Sequence, residues 1–225
     1  MTTTQNHAQT DHHIKEAILA ELEWMPSIQA DRIGVAINDG AVTVSGQVQT
    51  YPEKHAAVCA AFRVRGVTAV ADEIEVRNTW APRTDADIAR DAGEILQRTP
   101  MAPAGSVKAD VHNRIVTLTG AVAWQYERES IRHAVAMIPG VHGVTNTIAL
   151  KPKVHVSPAT AKAKIGDALR RNASIEAEHI KVDVKDDKIT LSGNVATWAE
   201  RTQADHAAWA TPGVMQVEND LFVTH

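Results

Sequence analysis

The chain has 225 residues, 44% of them apolar and 22% charged, with a formal net charge of −4. That balance excludes a disordered or fibrous chain and offers no basic face of the kind nucleic-acid-binding domains carry. The single cysteine, Cys59, excludes an intramolecular disulfide framework and any multi-cysteine zinc site.

No apolar run approaches the ~20 residues of a membrane span. The first dozen residues are polar and lack the apolar core of a secretory signal. They read as a disordered tail over 1–10 on a cytoplasmic protein, or a periplasmic one if the start has been trimmed.

From Asp11 onward the chain repeats. Gly46, Gly120 and Gly193 are 74 and 73 residues apart, and Gly66, Gly140 and Gly213 keep that spacing 20 residues later. Each repeat opens with apolar residues at helical spacing: Ile14, Ile18, Leu22; Ile88, Ala92, Leu96; Ala161, Ile165, Leu169. Asp11, Asp85 and Ser157-Pro158 are the residues expected to cap these helices. Two alternating strands follow, joined by Asn38-Asp39-Gly40, His112-Asn113-Arg114 and Lys185-Asp186-Asp187, which suit hairpin turns. A second helix carries small apolar residues at i, i+3, i+4 and i+7, for example Ala57, Ala60, Ala61 and Val64. A last alternating strand closes the unit.

The fold class is therefore α+β, with three tandem α-β-β-α-β domains over 11–78, 84–151 and 157–225. Each is a small three-stranded mixed sheet with two helices on one face, since a β-α-β crossover makes its strands parallel. Units this small bury only ~60% of their unfolded surface, and the linkers between them are short. The three are expected to touch, with Trp24 and Trp80 sealing contacts between domains.

The pattern resembles the BON domain, a bacterial module named for osmotically induced and nodulation proteins. The resemblance rests on V-x-G-x-V strands such as Val44-Ser45-Gly46-Gln47-Val48, and on a glutamate seven residues after that glycine. It rests equally on endings such as Gly66-Val67…Val70…Asp72…Ile74, repeated at Gly140…Asn146…Ile148 and Gly213…Asn219…Leu221. It implies a non-enzymatic protein that contacts phospholipid in osmotic or envelope stress, or, as in one cytoplasmic branch, binds potassium.

The residues themselves allow few chemistries. The repeated glycines lie inside strands or after helices, the wrong context for a phosphate loop. Glu53, Glu127 and Glu200 share one repeat position, and Thr50-x-x-Glu53 and Thr197-x-x-Glu200 read as helix capping boxes rather than catalytic carboxylates. No nucleophile–base pair stands beside them, so no enzyme and no cofactor are expected.

Cys59, His133 and His206 also share a repeat position. Around a pseudo-threefold axis they would suit zinc or copper, although the same position simply flanks the core stripe. Aromatic residues recur where the second strand enters the second helix, each followed by a base. Tyr51 with Lys54, Trp124 with Arg128 and Arg132, and Trp198 with Arg201 form a candidate surface for anionic phospholipid headgroups. The alternative is that these rings cover the edge of the core.

The first repeat carries 10 acidic against 6 basic residues and the second 7 against 8, which favours the second for a headgroup and the first for a cation. The expected function is weak, peripheral association with phospholipid or an envelope component. A potassium-responsive protein and a scaffold for a protein partner are the alternatives.

Overall fold

The computed structural model describes residues 2–77, 83–99, 105–151, 158–171, 179–185, 188–211 and 214–224. The chain forms two compact units. The first is built on residues 1–82 with 196–199 and 223–225, and the second on 83–195 and 200–222.

The first repeat runs α1 (Thr2–Trp24), a single 3-10 turn (Ala30–Arg32), β1 (Ile33–Asn38), β2 (Ala41–Val48), α2 (Tyr51–Arg63) and β3 (Ala69–Val76). The second runs α3 (Asp85–Arg98), β4 (Val107–His112), β5 (Ile115–Val122), α4 (Gln125–Ala136), β6 (Gly143–Asn146) and β7 (Ala149–Leu150). The third runs α5 (Pro158–Arg171), β8 (Ile180–Lys185), β9 (Lys188–Val195), α6 (Trp198–Trp209) and β10 (Gln216–Val223). The expected α-β-β-α-β order and small mixed sheets are present three times.

The sheets share one register. The hairpin strands are antiparallel and set Gly46, Gly120 and Gly193 opposite Ile33, Val107 and Ile180. The strand after the second helix lies parallel to the middle one, β3 on β2 and β6 on β5, and β10 likewise flanks β9. In the second repeat this last strand is broken in two. Thr147 turns its backbone N–H and its hydroxyl onto the carbonyl of Leu118, which ends the ladder at Asn146 and restarts it at Ala149.

Alternating burial along β1 and β2 shows one sheet face covered and the other open. Ile18 and Leu22 of α1 are fully buried beside Val42 and Val44, and Ile88 and Ala92 of α3, with Ile165 and Leu169 of α5, take the same places. Ala57, Ala60 and Ala61 put α2 close on its sheet, because an alanine stripe lets a helix backbone approach.

Two expectations about the first helices are corrected. Helix α1 begins at Thr2 and runs through the residues read as a tail, since no glycine or proline interrupts the chain before Pro26. Nor do Asp11 and Asp85 cap their helices. The cap of α3 is Thr84, whose hydroxyl accepts from the Asp87 backbone N–H while the Asp87 carboxylate accepts from the Thr84 N–H. Ser157 lies outside the described residues.

Candidate functional site

The residues that repeat most faithfully hold the fold. Gly46, Gly120 and Gly193 have φ of 136°, 130° and 124°, a region that disfavours side chains, and a Cβ on any of them would fall on the carbonyl oxygen of the residue just before the neighbouring strand. Glu127 accepts backbone N–H bonds from Ala123 and Trp124 at 2.9 Å. Glu53 likewise receives Gln49 and, across the repeat, Gln29, both at 3.1 Å. These carboxylates satisfy backbone donors at the entry to the second helix and, for Glu53, one before the hairpin.

Asp11 and Asp85 perform a task the sequence reading missed. Each carboxylate reaches from the first helix to the hairpin turn 28 residues on. Asp11 accepts from Asp39 N–H at 2.8 Å and Gly40 N–H at 3.1 Å, and Asp85 from Asn113 at 2.9 Å and Arg114 at 2.8 Å. The turn residues have positive φ, 49° and 75° in the first repeat and 51° and 62° in the second, the geometry of a type I′ hairpin. Their N–H groups point away from the ladder and need an acceptor. The only sequence signal was the matched spacing of acid and turn; in the third repeat Pro158 occupies this position.

The bases of the expected headgroup surface are each engaged by other groups of the protein. Lys54 donates to the Ile74 carbonyl at 2.7 Å and pairs with Asp72 at 3.1 Å. Arg201 donates to the Asn219 carbonyl at 2.5 Å. Arg132 pairs with Glu129 at 2.7 Å. Arg128 lies over the Trp209 ring, 4.8 Å from its centre. Burial draws the Arg128 guanidinium below its ordinary pKa, against the pull of the carboxylates of Glu129 and Asp205.

The Asp or Asn of the family ending explains itself beside these bases. Asp72, Asn146 and Asn219 each accept from the N–H two residues on, at 3.1, 3.2 and 3.3 Å, turning the last strand. Asn146 and Asn219 also donate from their amides to the carbonyls of Arg128 and Arg201 at 3.3 and 3.1 Å, tying strand to helix.

The aromatic rings are also engaged. Tyr51 stacks on His55, with ring centres 6.1 Å apart. Trp124 lies beside Tyr126 at 6.5 Å, and Phe62 and Trp198, both of the first unit, meet at 5.8 Å. Tyr126 is the exposed member of this set.

Cys59, His133 and His206 are exposed on their helices. Cys59 lies 3.7 Å from His55 of its own helix. Among the described residues no group of three or more His, Cys, Asp or Glu could hold a metal ion.

The most open aromatic among the described residues lies elsewhere. Trp24, expected to seal a domain contact, is 84% exposed at the end of α1; Trp80 lies outside the described residues. With His13, Ala17 and Ala20 it lines an open groove of about 720 Å³ whose far wall is Arg63, Val64 and Arg65 at the end of α2. Arg63 leans on Glu21 at 3.6 Å and on the Met25 sulfur at 3.0 Å, while Arg65 is exposed. No helix among the described residues is long and apolar enough to cross a membrane.

This geometry is that of a small, repeated module whose repeated polar residues pin turns and helix ends. The BON domain model matches residues 10–78, 84–152 and 157–224, so the chain belongs to the BON family as a triple-BON protein. It is similar to Osmotically-inducible protein Y of Escherichia coli (strain K12), 34% identical over 128 residues, 52% of this chain and 60% of that protein. The match therefore spans less than two thirds of that relative.

Among solved structures, it is similar to the C-terminal domain of CdsD, a structural protein of the type III secretion system of Chlamydia trachomatis. The identity is 11%, with coverage of 93% and 96% of the two chains and a TM-score of 0.27. The periplasmic domain of the inner-membrane protein PrgH of S. typhimurium follows at 15% identity, 92% and 100% coverage and a TM-score of 0.23.

Proposed function

We propose that the protein is a non-catalytic binding protein of the osmotic or envelope stress response that associates weakly with anionic phospholipid headgroups. The carrying observation is the groove between α1 and the end of α2, where an 84% exposed Trp24 stands opposite Arg63 and Arg65. An indole lies comfortably at headgroup depth, and adjacent guanidiniums meet phosphate with paired N–H donors. The relationship to an osmotically inducible protein supports the stress setting.

The helix-entry set of Tyr51, Lys54, Trp124, Arg128, Arg132, Trp198 and Arg201 is the weaker surface. Each of its bases has an acceptor or a ring of its own to give up before it reaches a phosphate, whereas the groove sets Arg63, held by Glu21 and Met25, beside an exposed Arg65.

Flotation with anionic and zwitterionic vesicles at low and high salt tests the reading. Binding to the anionic vesicles alone, weakened by salt, is expected. Trp24→Ala combined with Arg63→Glu and Arg65→Glu abolishes it, whereas Arg132→Glu leaves most of it. Absence of flotation under every condition overturns the reading. A rise in melting temperature with potassium over sodium at equal ionic strength would then favour the cation alternative.

A further inference from the structure

The bases at one repeat position make different choices. Lys54 and Arg201 spend their charge on their own repeat, on Asp72 with Ile74 and on Asn219. Arg128 does not. Its backbone carbonyl is held at home by Asn146, but its guanidinium leaves the second repeat and lies over Trp209, in the last turn of the third repeat's α6.

A second group of α6 completes the contact. Asp205, one turn before Trp209, takes a hydrogen bond from the Trp209 side chain, interacts with Arg128, and accepts from the Asn219 amide at 3.4 Å. That amide also donates to the Arg201 carbonyl, while the Asn219 side-chain oxygen turns β10. The ring and carboxylate that receive Arg128 are thus fixed by the third repeat's own strand-to-helix tie. The corresponding places in the first and second repeats hold Phe62 and Ala136 rather than tryptophan.

We infer that the third repeat is a built-in cover for the second: the Trp209–Asp205 face of α6 clasps Arg128 and closes the second repeat's helix-entry base to outside anions. Both partners lie in the same compact unit. A guanidinium half withdrawn from water is stabilised over an indole face with a carboxylate beside it, and that combination is stronger than a surface ion pair. Opening the clasp exposes the base, and closing it couples the two repeats. The inference stands whether or not the groove of the first repeat binds lipid.

Arginine modification with phenylglyoxal, read peptide by peptide by mass spectrometry on the full chain, tests the cover. Arg98, whose side chain is 83% exposed, is the internal reference. Arg128 is expected to react at least several-fold more slowly than Arg98 in the parent protein and to approach its rate in Trp209→Ala. Equal rates in the parent, or an Arg128 rate unmoved by Trp209→Ala, overturn the inference.

A double-mutant cycle with Arg128→Ala and Trp209→Ala, followed by urea unfolding of the second unit, supplies a measurement independent of the reagent. The expected coupling is about two-fold to thirty-fold in the unfolding equilibrium constant. Strict additivity of the two substitutions contradicts the clasp.

Discussion

The first and second repeats solve one problem in two ways. In both, the end of the last strand must be tied to the second helix. The first repeat uses an ion pair, Lys54 with Asp72, within its own fold. The second replaces the acid with Asn146, which ties to a backbone carbonyl and releases the Arg128 side chain for the neighbouring repeat. The amide alone does not decide this, since Arg201 beside Asn219 stays within its own repeat. In the second repeat the base becomes a connector because Trp209 and Asp205 lie within its reach. Copies of one module can keep a fold and still divide the work, because the tie needs only a hydrogen bond while the charge is free to vary.

The largest effect should fall on what the repeats share. Gly120→Ala places a Cβ against the Ser106 carbonyl at a φ of 130° and is expected to cost about 3 kcal/mol or more. Gly143→Ala meets only the Ile115 side chain at 3.6 Å and should cost under about 1 kcal/mol. Urea midpoints of the two variants measure the contrast, and equal losses would remove the close-approach explanation.

Next come the turn anchors. Asp11→Ala and Asp85→Ala each leave two turn N–H groups without their carboxylate and should cost about 1–3 kcal/mol. Hydrogen exchange at Gly40 and Arg114 should accelerate in the respective variant.

Asp72→Asn sharpens the comparison between repeats directly. It keeps an acceptor for the Ile74 N–H but removes the ion pair, and a partly exposed pair is worth about 1 kcal/mol. The loss should shrink at high salt, whereas Asp72→Ala should lose the turn as well and stay costly at any salt.

The smallest effect is a titration. The Thr84 hydroxyl and backbone N–H, with Arg90 helping, hold the Asp87 carboxyl at about 2. A carboxylate depressed in the folded state stabilises fully above its unfolded value near 4. That stability is lost as the pH falls from there towards 2. Thr84→Ala should move the Asp87 titration back up, as followed by NMR. An unchanged titration would show that the cap does not set it.

Much of this was legible in the chain. The glycine spacing gave three repeats, helical and alternating periodicities gave α-β-β-α-β, and Asn-Asp-Gly marked a hairpin correctly. Those features are local: a residue's neighbours within one helical turn or one strand decide them. The headgroup surface was less legible, because an aromatic followed by a base looks the same in sequence whether the base faces water, as Arg65 does, or a carbonyl, as Lys54 does.

By itself, then, the sequence determined the module, its triplication, and the positions where only glycine or a small side chain fits. Only the tertiary structure decided that Asp11 and Asp85 brace a turn 28 residues away, that Trp24 stands open beside two arginines, and that Arg128 belongs to the third repeat's α6. The reason is physical. Backbone conformation and burial periodicity are set within a few residues, but the partner of a long charged side chain is whichever acceptor or ring the packed elements bring within its reach.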